Sequence, residues 1–124
     1  MTIQLVIDQI RTMKPNAFED EVLVRWVSDL EGMIYNEVIL THEGGDEIPH
    51  GPYDPVEDMD TLLIVPEPYS DVYVKWLCAQ IDFHNSESAR YNNDMAMFNA
   101  AMATFSDWYN RTHLPKQPNY VRCM

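Results

Sequence analysis

Apolar positions repeat at helical spacing in the first third of the chain. Residues 3–13 place their apolar side chains on one face of a helix, with Thr2 in position to cap its N-terminus. A second stripe runs from about residue 19 to 38, and Asn16 followed by Glu19 predicts a capping box before it. These patterns predict two helices joined by a short turn.

The second half of the chain shows two further helical stripes. Residues 69–85 form the third, and residues 87–112 form a longer fourth stripe whose apolar positions step alternately by four and three. We therefore predict an all-α fold, a small four-helix domain of two helical pairs over residues 1–115. The seam of the last helix is Tyr91, Met95, Phe98, Met102, Phe105 and Tyr109.

The stretch between the helical halves has a different character. Residues 61–65, TLLIV, predict an extended segment packed on the helices or one strand of a small hairpin. Residues 41–60 lack periodicity and contain three glycines, three prolines and seven acids, which predicts a long solvated loop. Loops of this length in compact domains tend to be functional. We predict that its acids face a channel or a partner: Glu43, Asp46, Glu47, Asp54, Glu57, Asp58 and Asp60.

The charge of the chain is strongly negative and unevenly placed. Of 124 residues, 20 are acidic and 8 are Lys or Arg, and residues 1–69 hold 15 of the acids and 3 of the bases. Such a surface does not bind nucleic acid by neutralising phosphates, and it is not attracted to anionic lipid. A protein-binding module, a wall that repels DNA, a small acidic enzyme and a nucleic-acid mimic remain.

Sequence signals for targeting are missing, and the two cysteines are far apart. The N-terminus lacks the long apolar region of a signal peptide, and no stretch approaches the length of a membrane span. We therefore expect a protein made in a reducing cytosol, with no membrane partner. Cys78 and Cys123 form no CxxC pair, so we interpret both as thiols without a catalytic or metal role.

The acidic loop is the place to look for a metal. A calcium-loop template that begins at Asp46 lacks oxygen ligands where Ile48 and His50 stand. Zinc would need a third ligand besides His42 and His50. We therefore predict no metal site in this loop.

The sequence also lacks a convincing combination of catalytic side chains. Helical magnesium-dependent nucleotide hydrolases require carboxylate pairs on neighbouring helices. The second helix has Asp20, Asp29 and Glu31, but the third and fourth helices have no matching carboxylate pair. Cys78 and His84 point to nearly opposite sides of the third helix. We predict a protein without catalytic residues or a cofactor, and not an enzyme.

The last helix and the residues after it carry a candidate interface. Trp108 lies off the apolar seam and, with Met95, Met97 and Met102, predicts a second apolar surface for another subunit. Residues 116–124 predict an extended basic tail. The candidate interface residues are Met97, Trp108, Arg111, Lys116, Tyr120 and Arg122.

Several motifs resemble the head–tail connector, or adaptor, proteins of tailed phages and prophages. In the second half these are VPEPY, AQID, RYNN, MAMFNAA and WYNRTHLP, and in the first half PNAFEDEVLVRWVSDLEGMIYNEVI. The similarity covers most of the chain outside residues 42–60. These motifs are packing and interface motifs rather than catalytic signatures.

The resemblance implies a structural virion protein at the head–tail interface, made in the host cytoplasm. It implies a homo-oligomeric ring, commonly a dodecamer, beneath the portal protein. Such a ring extends the DNA channel, lets DNA pass without specific binding, and offers a docking surface to a stopper or tail-completion protein. The acidic half would repel the passing DNA, while the last helix and basic tail would contact a neighbouring copy or the portal.

Two other functions stay open. The first is an acidic DNA mimic that inhibits a host DNA-binding protein, although mimics need carboxylates spaced like phosphates along a rod. The second, less favoured, is a helical metal-dependent nucleotide hydrolase.

Overall fold

The computed structural model describes residues 1–116, and residues 117–124, including Tyr120 and Arg122 of the predicted tail, lie outside that description. The described chain is all-α, as predicted, and contains two isolated antiparallel bridges but no strand. Short 3-10 turns occupy Ile39–Thr41 and Gly45–Glu47. The four helices are α1 (Ile3–Met13), α2 (Asp20–Glu37), α3 (Asp71–His84) and α4 (Ser88–Thr112).

Helix α1 begins where the sequence predicts. The Thr2 hydroxyl oxygen accepts a hydrogen bond from the backbone N–H of Leu5 at 3.2 Å, which satisfies one of the free donors of the first turn. The apolar stripe of the helix is buried, through Ile3, Val6, Ile7 and Ile10.

Helix α2 begins later than a capping box at Asn16 requires, so that prediction is wrong. The helix starts at Asp20, and the side chain of Asn16 accepts from the backbone N–H of Phe18 at 3.0 Å. It also accepts from the guanidinium of Arg11 at 3.1 Å. Asn16 therefore shapes the turn between α1 and α2, because a short polar side chain satisfies nearby backbone groups in non-helical conformations.

Helix α3 is the centre of the bundle. It contacts α1 and α2, and it packs most extensively against α4. The predicted α3–α4 pair is confirmed. Helices α1 and α2 contact α3 as well as each other, so the first predicted pair is not a separate unit.

Helix α4 is long and only partly covered by the described residues. Its 25 residues span about 37 Å. Only Phe98, Phe105 and Tyr109 are fully buried, and they belong to the predicted seam. Most of the helix surface therefore remains available to solvent or to a partner.

Residues 61–65 form the extended segment that the sequence predicts, packed on the helices. Leu62 bridges Thr2 in antiparallel fashion, while the side chains of Leu63 and Val65 are buried. The segment therefore closes the core beside the start of α1.

Trp26 on α2 is a core residue at the end of the bundle formed by the α3–α4 turn. Its ring lies 5.1 Å from that of Phe18 and 4.8 Å from that of His84, and its carbonyl oxygen accepts from the Trp76 indole N–H at 3.0 Å. The side chain is 8% exposed, which agrees with its predicted core position.

We expect Trp26→Ala to lower the free energy of unfolding by about 3–5 kcal/mol, because it leaves a cavity that the surrounding rings only partly fill. Chemical denaturation measures this loss. Met13→Ala is the matched control, since Met13 is 66% exposed, and it should cost about 0.5 kcal/mol or less. A loss below about 1 kcal/mol for Trp26→Ala would place Trp26 outside the core.

Candidate functional site

The candidate site is the acidic segment, residues 41–60, which begins beside the end of α4 at His42 and runs back along α2 to Tyr53. Asp58 is half-buried, and the other acids are exposed: Glu43, Asp46, Glu47, Asp54, Glu57 and Asp60. The segment is a long acidic loop, as predicted, but it contains one short 3-10 turn, Gly45–Glu47, and its backbone packs on the helices. The negative charges therefore lie on a folded surface.

His42 attaches the start of the acidic segment to α4. The imidazole is buried, with Nδ1 2.7 Å from the carbonyl oxygen of Val38 and Nε2 2.8 Å from Oδ1 of Asn110. Its ring also packs edge-on against Tyr109 at 4.7 Å. Both ring nitrogens are thus engaged within the chain, which is a structural role rather than the zinc ligation considered from the sequence.

A glycine pair lets the chain turn sharply after His42. Gly44 has φ of +79°, a conformation that side chains rarely adopt. A Cβ on Gly45 would lie 2.0 Å from the carbonyl oxygen of Ile39, so only glycine fits this close approach. The two residues place Asp46 and Glu47 on the outer side of the 3-10 turn.

Two of the acids build a turn of their own. Asp54 Oδ1 accepts from the backbone N–H groups of Val56 and Glu57, at 2.7 and 2.9 Å. Asp58 Oδ2 accepts from the backbone N–H of Asp54 at 2.6 Å. The two backbone donors lower the pKa of Asp54. Asp54 and Asp58 therefore have a local structural role as well as a negative charge.

Glu31 on α2 joins the acidic segment to the core. Its carboxylate is 0% exposed and accepts from the hydroxyl of Tyr53 at 2.9 Å and from the backbone N–H of Ile64 at 3.1 Å. The other carboxylate oxygen accepts from the hydroxyl of Tyr73. One side chain thus connects α2, α3, the acidic segment and the extended segment.

The three donors around Glu31 favour an ionised carboxylate. The Tyr73 oxygen accepts from the backbone N–H of Val65 at 2.8 Å, so its own proton points to Glu31. A proton on Glu31 would have to compete with these donors. Burial raises the pKa of Glu31, while the donors from Tyr73, Ile64 and Tyr53 oppose that rise. Burial and the neighbouring carboxylate raise the pKa of both tyrosines, which keeps them protonated donors.

Sequence reasoning missed the role of Glu31. It was treated as one of several acids on the second helix, although its position shares the apolar stripe of its neighbours Leu30 and Ile34, both buried. An acid at a core-facing helical position, with tyrosines elsewhere to serve as donors, is the signal that the sequence did contain.

A second acid pair lies between α3 and α4. The nearly buried Asp82 accepts from the ammonium of Lys14 at 2.7 Å, and Asp94 lies beside it. Asp94 Oδ2 is buried without a hydrogen-bond partner among residues 1–116. Desolvation and the neighbouring Asp82 raise the pKa of Asp94 to about 6. Burial raises the pKa of Asp82, but Lys14 and the neighbouring Asp94 lower it further, so Asp94 is the acid of the pair that takes up a proton first as the pH falls.

The candidate interface residues do not form one surface. Trp108 is half-buried and stacks on Tyr69 with ring centroids 5.0 Å apart, so it packs against its own chain. Met95 and Met102 line a groove that faces α2, whereas Met97 is exposed on another side of α4. The predicted continuous second apolar surface is therefore wrong. Arg111 and Lys116 are exposed at the end of the described chain.

The described residues contain no group of three or more His, Cys, Asp or Glu side chains arranged to hold a metal ion. His50, the other histidine of the acidic segment, stacks on Tyr35 with ring centroids 3.6 Å apart. In the same part of the chain, no helix is both long and apolar enough to cross a membrane.

Comparisons with protein-family models, with curated proteins and with solved structures find no match to this chain.

We expect Tyr53→Phe to destabilise the protein by about 1.5–3 kcal/mol, because it removes a hydrogen bond to a buried charge. Chemical denaturation gives the change. Tyr35→Phe is the control, since it removes a hydroxyl that lies outside the Glu31 cluster, and about 0.5 kcal/mol or less is expected. Equal small losses for the two variants would contradict the account of Glu31.

The Asp82–Asp94 pair predicts a pH dependence of stability. The folded state holds the Asp94 proton up to about pH 6, whereas the ordinary value is 3.8, so stability falls as the pH rises through this window. Asp94→Asn removes the group that titrates. The variant should therefore gain stability relative to wild type as the pH rises from 4 to 7.

The matched control is Asp107→Asn, an exposed acid on the same helix. It measures the effect of removing one negative charge from an exposed position of α4. A difference between Asp94→Asn and wild type that stays constant over this pH range would show that Asp94 does not titrate there.

Proposed function

We propose that this protein is a structural head–tail connector of a tailed phage or prophage, which forms a ring beneath the portal protein. The ring extends the DNA channel and presents a docking surface to a stopper or tail-completion protein. The protein acts in the virion without catalysis and binds no cofactor, and DNA passes through the ring without specific contacts.

The observation that carries this proposal is the acidic segment held as a folded surface. Six exposed acids lie on it, and the sequence has no Lys or Arg between Arg25 and Lys75. His42 and Tyr53 join its backbone to α4 and to Glu31. A negative surface of fixed shape suits a channel wall, since like charge prevents contacts with the phosphates of DNA.

Helix α4 supports the ring. A helix of 25 residues with three fully buried side chains has room on its outer faces for a neighbouring copy. Met97 is 48% exposed there, and Arg111 lies exposed near the helix end. In a heterologous ring these faces meet a different surface of the next copy, and the acidic neighbour supplies a counterpart for the basic side chains.

The direct test is to co-express the chain with the portal protein encoded in the same genome and to examine the product by native mass spectrometry and electron microscopy. We expect a ring of this chain bound to the portal. A chain that remains monomeric and never joins a portal assembly contradicts the proposal. Capture of a host DNA-binding protein with no portal binding would instead favour the DNA mimic.

Two triple charge-reversal variants test whether the acidic segment faces the DNA. The first variant combines Glu43→Lys, Glu47→Lys and Glu57→Lys, and it should still bind the portal. Its assembled ring should retain double-stranded DNA at low salt, because the new lysines displace counterions from the DNA phosphates. Filter binding over a salt series measures the retention.

The matched control changes three exposed acids outside the acidic segment, Asp8, Glu87 and Asp107, to lysine. Both triple variants have the same net charge, so a difference in DNA retention reports the position of the new lysines. We expect ring assemblies of the control to retain less DNA. Equal retention by the two variants would show that the acidic segment does not line the channel.

A further inference from the structure

We propose that the groove between α2 and α4 of one copy receives the outer face of α4 from the next copy. This inference rests on the proposed ring and names the two surfaces that meet in it. The α2–α4 groove is lined mainly by Leu30, Met33, Trp76, Met95, Phe98 and Met102. The α4 outer face consists of the exposed residues Asn93, Ala96, Met97, Ala100, Ala103 and Thr104.

The α2–α4 groove has the chemistry of a site for apolar side chains. Its volume is about 400 Å³, and three of its lining side chains are methionines. Met33 is 38% exposed, and Met95 and Met102 are half-buried. Methionine adapts its shape to what it contacts, so this groove accepts an apolar side chain from outside the chain.

The α4 outer face belongs to a long exposed surface with very little charge. Between Arg90 and Asp107 the helix has one charged side chain, Asp94, which is half-buried beside Asp82. Charged residues make up 23% of the chain, so the 16 residues from 91 to 106 would contain about four at average composition. This surface extends for about 24 Å, and depletion of charge is typical of the core of a protein interface.

The shapes of the two surfaces match. Met97 is 48% exposed on the outer face, and the alanines beside it, Ala96 and Ala100, have small side chains. Small side chains at a helix contact let the helix approach closely, so that the longer Met97 side chain reaches into the groove. A convex helix face fills a groove better than it packs on a second convex face, which favours this contact over one between two outer faces.

The two surfaces lie on different sides of the same helix. Met95 and Met102 line the groove, whereas Met97 is exposed on another side of α4. A copy whose groove is filled therefore still has its outer face free for a further copy. Such a heterologous contact repeats from copy to copy, as a ring requires.

The charges around the two surfaces are complementary. Arg90 and Arg111 are exposed toward the two ends of α4. On α2, Glu37 lines the groove, and the exposed Asp29 lies one turn before Met33. An α4 helix that enters the groove thus brings positive charge to an acidic surface, which favours the encounter of two copies.

The contact is small, because it joins one helix face to one groove, whereas a standard interface buries roughly 800 Å² per partner. We therefore expect the free chain to associate weakly. The portal would strengthen the contact by holding several copies side by side.

Disulfide trapping between two variants tests the proposal. In a background of Cys78→Ser and Cys123→Ser, one variant has Met33→Cys in the groove and the other has Ala100→Cys on the outer face. The two are mixed at millimolar concentration under mild oxidation. We expect the mixed 33–100 disulfide to form about tenfold faster than a mixed 13–100 disulfide, because the proposed contact raises the effective concentration of the first pair.

Met13→Cys is the matched control, since it makes the same substitution at a site on α1 that is 66% exposed and outside the groove. Asn99→Cys provides a second groove position, for which the same tenfold preference is expected. Thermal unfolding of the reduced variants checks that each is folded.

Two results with the free chain overturn the proposal. Equal rates for the 33–100 and 13–100 pairs would mean that the outer face has no preference for the groove. Dimers of Ala100→Cys alone that form as fast as the mixed disulfide would mean that two outer faces pair with each other.

The same mixture, co-expressed with the portal protein, separates this inference from the proposed function. Portal-bound assemblies with 33–100 disulfides support both. Portal-bound assemblies without them overturn the interface and leave the connector function standing. A 33–100 disulfide in the free chain without portal binding would contradict the connector function and support the interface, and the absence of both contradicts both.

Discussion

The buried carboxylate of Glu31 is the interaction on which the packing of the acidic and extended segments depends. Moving a carboxylate out of water costs several kcal/mol, and here three donors from separate parts of the chain offset that cost. The three donors belong to the acidic segment, the extended segment and α3. Because removing any donor leaves part of a buried charge unsatisfied, the arrangement favours one packing of the acidic segment over its alternatives.

This arrangement explains how a segment rich in glycine, proline and acids has a defined surface. Its side chains repel one another, and no Lys or Arg within it relieves the repulsion. Attachment at two points, through His42 to α4 and through Tyr53 to Glu31, opposes that repulsion. The proposed channel wall needs this property, since a wall that swings into the lumen would obstruct the DNA. Helix α4, with few buried residues, is meanwhile available for assembly.

Much of the fold follows from the sequence because helical periodicity and burial agree. The stripe of α1 and its Thr2 cap, the seam of α4, and the extended run at 61–65 all appear as predicted. The failures have a common cause, which is that polar side chains serve distant partners. Asn16 looks like a helix cap but bonds to Arg11 and Phe18, and Glu31 looks like a surface acid but meets Tyr53 and Tyr73. Trp108 lies off the seam, yet Tyr69 covers it from outside the helices. Spacing along one helix does not show which loop will pack on it.

Hydrogen exchange of the Tyr53, Ile64 and Val65 amides, compared between wild type and Glu31→Gln at neutral pH, tests the central claim most directly. Replacing the carboxylate with an amide puts a donor where the structure needs acceptors. The account predicts that these three amides exchange at least about tenfold faster in the variant, while the core amides of α1 change less. Unchanged exchange at all three positions would contradict the claim that Glu31 holds the acidic and extended segments on the bundle.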